Sequence, residues 1–327
     1  MTLILKNSEI KKYICIDKTI IPIIERAFIA LSNKKAIMPP IMRLDIEENN
    51  GEVDVKTAYI KGYNNFAIKI SPGFFNNYKL GLPSTSGMMN LFNSKTGLLE
   101  SVLLDNGYLT NVRTAIAGAI SIKYLSNKNI TDVGIIGTGT QARMQLEALM
   151  LVRKPKIVRI WSRNKDNINS FIREMSKNIN CEITAGKNPK LITEKSNLII
   201  TTTPSKKPII LNEWLHDELH ITAMGSDAEE KNEIDPKIIK NSDFYIADNI
   251  KQTSILGELH HAINAKLVPT KKKIMELGDI IKNKMIIRSS HKQITICDLT
   301  GTGVQDTAIA IYAYQIAKKN KLGKIIV

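Results

Sequence analysis

Cysteine is scarce in this chain. The 327 residues contain only Cys15, Cys181 and Cys297, which lie far apart. Their spacing matches no metal-ligand pattern, which argues against a cysteine-ligated metal centre. Cys15 and Cys297 lie in apolar runs and Cys181 opens a short strand-like segment, so we expect reduced structural thiols.

Long apolar runs are also missing. No segment reaches the ~18 apolar residues that a membrane-spanning helix requires, and no secretory signal opens the sequence. Neither an internal repeat nor a low-complexity segment is visible. We therefore predict a soluble, cytoplasmic protein with no membrane partner.

Acidic residues are outnumbered by basic ones, 31 against 46, and the formal net charge is +15. Such a charge raises nucleic acid as a partner. The basic residues, however, are scattered in short clusters such as Lys34-Lys35 and Lys206-Lys207, and the richness in Ile, Lys and Asn is typical of AT-rich codons. We expect no nucleic-acid partner, although the charge favours small anionic ligands through long-range steering.

The length allows two domains, each with its own core. The first third is typical of an α+β domain, with one or two helices over residues 10–32 and then strand-like runs separated by glycine-containing turns. The strands are expected at residues 41–46, 53–60, 66–70, 86–92 and 98–104. The remainder alternates strands and helices. We predict an α/β protein in which residues 1–115 and 304–327 form an α+β substrate-binding and dimerisation domain and residues 116–303 a Rossmann-type dinucleotide-binding domain.

A strand, tight turn and helix are predicted over residues 131–150. Gly137 and Gly139 allow positive φ and close backbone approach at the turn, and Ala142 takes the third place of the Gly-x-Gly-x-x-Gly/Ala pattern. The free N–H groups of the new helix suit a pyrophosphate. A turn without a ligand is the alternative. We favour dinucleotide binding because a second apolar run, residues 157–161, follows after one helix length.

The residues after that second strand indicate which dinucleotide binds. An acid there would bind the ribose 2′-OH of NAD, whereas a cation and small hydroxyls accommodate the 2′-phosphate of NADP. The chain has Ser162, Arg163 and Asn164 there, and no acid until Asp166. This favours NADP(H), with NAD(H) as the alternative. The opposing interpretation is that Arg163 only solvates the next helix.

Four stretches together resemble one family: residues 111–115, residues 137–142, residues 223–227 followed by 232–235, and residues 298–306. Across essentially its full length the chain resembles the ornithine cyclodeaminase/mu-crystallin family, and it is most similar to the branch with ectoine-utilisation cyclodeaminase-like proteins and iminosuccinate reductases. The family includes cyclodeaminases, archaeal alanine dehydrogenases, ketimine reductases and iminosuccinate reductases. The resemblance implies an NAD(P)-dependent enzyme that acts on C–N bonds and forms a homodimer.

The resemblance also implies the substrate site. Arg43, Lys69 and Arg113 match positions where the family binds the carboxylate of its amino or imino acid, and arginine suits bidentate carboxylate recognition. Lys69 is also placed for proton transfer. Asp227 matches the family's catalytic aspartate, which can hold the substrate nitrogen or relay a proton. Taken alone, basic residues on strands are more often solvated, and Asp227 could cap a following helix.

Lys56 departs from the ornithine cyclodeaminases, which carry a glutamate at that position. A glutamate suits the distal ammonium of ornithine, whereas a lysine repels it and attracts a second carboxylate. Iminosuccinate reductases resemble this sequence there. We therefore predict an imine reductase or amino acid dehydrogenase for a small dicarboxylic imino acid. The alternatives are an ornithine cyclodeaminase-type lyase that uses bound NAD and a mu-crystallin-like NADPH-dependent binding protein. The argument fails if Lys56 is a surface residue on an edge strand.

Cofactor contacts complete the predicted site. The resemblance places the backbone of residues 301–303 near the nicotinamide half, with Asp306 at the start of the following helix. The predicted cofactor-binding residues are Thr114, Gly137, Gly139, Thr140, Gln141, Ala142, Ser162, Arg163, Asn164, Thr202, Met224, Gly225, Gly301, Thr302 and Gly303. His260 and His261 are adjacent on a predicted helix and point in different directions, so we expect packing residues and no metal.

Overall fold

The computed structural model describes residues 1–268 and 274–326. The chain divides into two compact units: unit 1 comprises Met1–Arg113 and the segment that begins at Thr302, and unit 2 comprises Thr114–Gly301. The sequence places these divisions at 115/116 and 303/304. Residues 269–273 and 327, which fall within the predicted domains, lie outside the described residues.

The secondary-structure elements are numbered in chain order. The strands are β1 (Thr2–Lys6), β2 (Ala36–Ile37), β3 (Met42–Ile46), β4 (Gly51–Ile60), β5 (Asn65–Phe74), β6 (Met88–Asn93), β7 (Leu99–Leu104), β8 (Asp132–Ile136), β9 (Ile157–Trp161), β10 (Glu182–Ala185), β11 (Leu198–Thr201), β12 (His220–Ala223), β13 (Phe244–Ala247), β14 (Ile274–Glu276), β15 (Thr295–Asp298) and β16 (Lys324–Ile326). The helices are α1 (Asn7–Tyr13), α2 (Ile21–Ser32), α3 (Tyr108–Leu125), α4 (Thr140–Met150), α5 (Lys165–Met175), α6 (Pro189–Lys195), α7 (Pro236–Asn241), α8 (Ile250–Thr253), α9 (Gly257–Asn264), α10 (Leu277–Asn283) and α11 (Gly303–Asn320).

Unit 1 is built on one mixed sheet. Its strand order is β16-β1-β7-β6-β5-β4-β2, and β3 also pairs with β4. β1 runs parallel to β7, whereas the other pairs in this sheet are antiparallel. The five strands expected between residues 41 and 104 are present as β3 to β7.

The two faces of this sheet differ. Along β4, Lys56, Ala58 and Ile60 are buried, whereas Thr57 and Tyr59 between them are half-buried, because successive side chains point to opposite faces. Helix α11 packs on the buried face, where the Thr307 hydroxyl donates to the carbonyl of Ala58 at 2.8 Å. The buried face therefore carries the core, and the second face, called the open face below, presents half-buried apolar side chains.

Unit 2 contains a parallel sheet with the order β10-β9-β8-β11-β12-β15-β13-β14. Its central strands β11, β12 and β15 are buried along their whole length, as expected for parallel strands covered on both faces. The connection order reverses at β8, which has β9 on one side and β11 on the other. Open parallel sheets bind ligands at the carboxyl ends of the strands beside such a reversal.

Among residues 1–268 and 274–326, no helix is long and apolar enough to cross a bilayer. Cys15 is exposed, Cys181 half-buried and Cys297 buried, and none of the three forms a disulfide.

Candidate functional site

Three basic residues of unit 1 surround one carboxylate. Lys56 on β4 lies directly opposite Lys69 on β5, so both side chains point to the buried face. Lys69 Nζ lies 3.0 Å from Asp306 Oδ2, and Arg113 Nε donates to Asp306 Oδ1 at 2.8 Å. The exposed fractions of Lys56, Lys69, Arg113 and Asp306 are 6, 2, 5 and 1%. These four residues are called the cationic cluster.

Two helix starts bring the cluster together. Arg113 lies in the second turn of α3, and Asp306 lies in the first turn of α11, where the helix dipole favours an acid. Gln305 Oε1 accepts from Arg113 Nη1 at 3.1 Å and fixes the plane of the guanidinium. The sequence indicates Lys56, Lys69 and Arg113 but assigns Asp306 only to a helix start. Since Lys56 is buried, it is not a solvated edge-strand residue.

The cluster shifts the ionisation of its members. Burial lowers the pKa of Lys69 to about 8; Asp306 raises it, and Arg113 and Lys56 lower it. Burial alone would raise the pKa of Asp306, but Arg113, Lys69 and Lys56 together hold it below its ordinary value. Asp306 is therefore a stable counter-charge, and Lys69 is a cation that can release its proton near neutral pH.

Arg43 occupies a different position. It lies on β3, whose residues are largely exposed. Its Nε donates to Asp45 at 2.8 Å and its Nη2 donates to Glu52 at 2.7 Å. The structure thus groups Lys56, Lys69 and Arg113 around Asp306, while the guanidinium of Arg43 pairs with these two other carboxylates.

The glycine turn of unit 2 has the geometry of a phosphate cradle. Gly137 has φ +121°, and a Cβ there would collide with the Thr202 hydroxyl. Gly139 is the N-cap of α4 without a side-chain cap, and it faces open space. Thr140 and Gln141 begin α4, and Ala142 is buried. No side chain caps the first N–H groups of α4, which is the arrangement that suits a pyrophosphate.

Arg143 braces this turn and was not identified from the sequence. Its Nη1 donates to the carbonyls of Thr138 and Gly139, and its Nε pairs with Glu174 at 2.7 Å. The guanidinium also lies 5.2 Å from the ring centroid of Phe171. An arginine four residues after the second glycine is the only signal that the sequence offers for this role.

The residues after β9 show which side chains could meet a ribose. Ser162 Oγ donates to the carbonyl of Asn164, and the Asn164 side chain caps α5 by accepting from Asp166 N at 2.8 Å. Arg163 is exposed, and within the described part of the chain it has no hydrogen bond or ion pair. Its guanidinium is therefore available for an anion.

Asp227 lies in a segment without a helix, residues 224–235. The next helix, α7, begins at Pro236 and is capped by Asp235, so Asp227 does not cap it. The carboxylate of Asp227 pairs with Lys231 Nζ at 2.7 Å and is about half exposed, at 47%. Lys231 is a second residue that the sequence did not reveal.

The other predicted cofactor residues have identifiable neighbours. Thr202 Oγ1 donates to the carbonyl of Ile136, and the Thr114 carbonyl accepts from Gln145 Nε2 at 3.0 Å. Met224 is buried and Gly225 follows it after β12. In unit 2, Gly301 has φ +79° and donates to Asp248 at 2.8 Å.

Residues 302 and 303 belong to the start of α11 in unit 1. Thr302 is its buried N-cap. A Cβ at Gly303 would collide with the carbonyl of Thr57, so this glycine also has a packing role.

The paired histidines lie beside the Asp227 segment. His261 Nε2 lies 2.8 Å from the carbonyl oxygen of Lys231, and His260 Nε2 lies 3.8 Å from Glu229. Their rings meet edge to face. Among the described residues, no group of three or more His, Cys, Asp or Glu side chains could hold a metal ion.

Comparison with known proteins places these features in a family. Residues 1–321 match the sequence model of the ornithine cyclodeaminase/mu-crystallin family. The chain is 48% identical over 323 residues to an uncharacterized cyclodeaminase of Sinorhizobium fredii, with 98% of each chain covered.

Two solved structures are similar throughout. An archaeal alanine dehydrogenase dimer with bound NAD is 30% identical, with a TM-score of 0.91, and covers 100% of this chain and 99% of its own. The iminosuccinate reductase of Paracoccus denitrificans in complex with NAD⁺ is 26% identical, with a TM-score of 0.88 and the same coverage. The predicted fold class is confirmed, and so is the enzyme class, an NAD(P)-dependent enzyme acting on C–N bonds.

Proposed function

The chain belongs to the ornithine cyclodeaminase/mu-crystallin family, and on this premise we propose that it reduces a small dicarboxylic imino acid, of the iminosuccinate kind, to an amino acid with NAD(P)H. The observation that carries this proposal is the burial of Lys56 opposite Lys69 and beside the Arg113–Asp306 pair. Lys56, Lys69 and Arg113 are thus three buried cations at one place, and a ligand with two carboxylates could pair with more than one of them.

The proposed roles follow from the chemistry of the side chains. Lys69 and Arg113 would bind the α-carboxylate together with Arg43, once Arg43 has left Asp45 and Glu52. Lys56 would meet the distal carboxylate. Asp227 would hold the substrate nitrogen, and Lys69, with its lowered pKa, can supply the proton that the nitrogen gains. The bound reduced nicotinamide would supply the hydride.

Cyclodeamination is the second candidate, because the relative at 48% identity carries that name. A cyclodeaminase for ornithine must accept a distal ammonium. Lys56, which is buried among the other cations, disfavours that charge. The reductase therefore fits the cationic cluster better.

A substrate screen tests the function. Oxaloacetate with ammonia and pyruvate with ammonia would each be supplied with NADPH or NADH, and ornithine with NAD⁺ or NADP⁺, while cofactor absorbance and, for ornithine, the release of ammonia are followed. We expect cofactor oxidation that is fastest with oxaloacetate and ammonia. Ammonia and proline formed from ornithine without net cofactor turnover would establish the cyclodeaminase instead. Tight cofactor binding without any turnover would favour a mu-crystallin-like binding protein.

The same screen tests the cofactor. We propose NADP(H) as the preferred dinucleotide, with NAD(H) as the alternative, because the exposed Arg163 is available for a 2′-phosphate. Faster turnover with NADPH than with NADH is the expected result, and a clear preference for NADH would contradict the proposal.

We also propose that the chain forms a homodimer through unit 1. Half-buried apolar residues of the open face lie on β4 (Val55), β5 (Ile68 and Ile70) and β7 (Val102), and Val55 lies directly opposite Ile70. The edge strand β3 exposes Met42 and Leu44. An apolar face and an unprotected strand edge both favour association with a second copy.

We expect a dimeric mass in solution at micromolar concentration, and a monomeric mass for Ile68→Glu, because that change places a charge on the open face. Light scattering after size-exclusion chromatography would measure both, with Lys95→Glu, in the exposed turn after β6, as the control. A monomeric wild type with full activity would refute the dimer.

A further inference from the structure

A second buried carboxylate, outside the cationic cluster, ties two strand ends of unit 2 together. Glu233 is completely buried. Its Oε2 accepts from the Thr201 hydroxyl at 2.6 Å and from Gly225 N at 2.7 Å, and its Oε1 accepts from the N–H and the hydroxyl of Thr203 at 2.5 and 2.7 Å. Thr201 ends β11, and Gly225 follows β12. One side chain therefore fixes the carboxyl ends of two neighbouring strands.

Gly225 is required for this approach. A Cβ at this position would collide with the carbonyl oxygen of Thr203 and lie 2.5 Å from Glu233 Cδ. The requirement concerns space, since Gly225 is not among the residues with positive φ.

Glu233 is itself held by other buried carboxylates. Its backbone N–H donates to Glu258 Oε1 at 2.8 Å, and the N–H of Glu258 donates to Asp298 Oδ2 at 2.8 Å. Asp298 ends β15 and also accepts from the Tyr245 hydroxyl of β13 at 2.5 Å. Burial raises the pKa of all three carboxyl groups. Buried acids are costly, so a series that joins the carboxyl ends of β11, β12 and β15 and the hydroxyl of Tyr245 calls for a functional reason.

We propose that Glu233 is a positioning residue for the dinucleotide: its carboxylate sets the backbone at Thr202 and Gly225, and with it the segment that carries Asp227. These strand ends lie beside the glycine turn of β8, where parallel sheets bind their ligands. The inference rests on the proposed function only in requiring a bound dinucleotide. It does not depend on the substrate.

Glutamine cannot replace Glu233 in this role. One backbone N–H points at each carboxylate oxygen, from Thr203 and from Gly225. The amide NH₂ of a glutamine would face an N–H donor in either orientation. Glu233→Gln therefore loses the hydrogen bond from the N–H of either Thr203 or Gly225, although the volume of the side chain is almost unchanged.

Cofactor titration of three variants tests the inference. Dissociation constants for NADPH and NADH would be measured by fluorescence, together with thermal denaturation. Glu233→Gln should raise the dissociation constant roughly five- to hundred-fold, the range expected when a buried N–H loses its acceptor. Thr201→Val removes a single hydroxyl donor and should raise it less. Asp243→Asn is the matched control, because Asp243 accepts from Ile294 N at the opposite end of the same sheet.

The outcomes separate the two proposals. Raised dissociation constants for Glu233→Gln and Thr201→Val, with an unchanged constant for Asp243→Asn, support the positioning role. If Glu233→Gln does not fold, the dissociation constant of Thr201→Val, compared with that of Asp243→Asn, decides whether the positioning role holds. A lowered melting temperature with wild-type cofactor affinity in the folded variants means that Glu233 only stabilises the fold and overturns the inference alone. A wild type that binds neither dinucleotide overturns the proposed function and this inference together.

Discussion

Asp306→Asn is expected to lower kcat/KM of the reductive reaction by roughly 30-fold to several thousand-fold, since breaking a buried charge pair costs about 2–5 kcal/mol. Asp306 is the carboxylate that contacts both Lys69 and Arg113. Asparagine keeps the shape of the side chain but removes the negative charge, so the two cations would repel each other without compensation.

The pH profile gives this variant a specific signature. Lys69 has a pKa of about 8, so about nine-tenths of it is protonated at pH 7, and reduction should decline as the pH rises through 8. Asp306 raises that pKa. Its replacement should therefore lower the pKa of Lys69 further and move the alkaline decline to lower pH.

Kinetics between pH 6 and 9, with thermal denaturation of each sample, would measure both effects. Asp17→Asn is the matched control, because Asp17 lies in the loop between α1 and α2 and accepts from Thr19. An Asp306→Asn variant that is folded, keeps kcat/KM within about threefold and shows the wild-type alkaline decline would contradict the proposed role.

The parallel sheet of unit 2 was largely predictable because its signals are local. Each buried strand is a short apolar run. The turn after β8 needs a residue with positive φ, and the glycine pattern of the sequence already indicates Gly137 for that position. The βαβ arrangement then follows from the handedness of such connections. The short β14 escaped prediction because three residues carry no periodicity.

The outer strands of the sheet in unit 1 were harder to predict. β1 and β16 lie at opposite ends of the chain and pair with each other, and β1 also pairs with β7. The stability of such strands comes from distant partners, which the sequence does not display. The strand β16 is exposed along its whole length and shows no alternation to detect.

The candidate site was predictable only in part. Lys69 and Arg113 were identified through the resemblance to the family, whereas Asp306 is 193 residues from Arg113 and resembles any acid in the first turn of a helix. Lys231 and Glu233 escaped detection because side-chain orientation decides their roles. The burial of Lys56 could not be predicted either. An alternating strand shows that its two faces differ, but it does not show which face of the sheet is covered.

Substitution of Lys56 can show whether the substrate has one carboxylate or two. Lys56 is 6% exposed and lies across from Lys69, so a charge introduced there would lie inside the cationic cluster. A glutamate at this position would place a second acid near Asp306 and repel a distal carboxylate. It would also suit a distal ammonium, and so would favour ornithine.

Lys56→Glu is therefore expected to reduce kcat/KM for iminosuccinate, formed from oxaloacetate and ammonia, by roughly tens-fold to thousands-fold, the cost of losing one buried charge-assisted pair. The loss for the monocarboxylic iminopyruvate should be much smaller, because that substrate has no second carboxylate for Lys56 to bind. Lys61→Glu, the same charge reversal at an exposed residue directly after β4, should leave the ratio of the two kcat/KM values unchanged. Equal losses on both substrates would mean that Lys56 supports the fold or the cluster as a whole, and the dicarboxylic substrate would lose its main physical support.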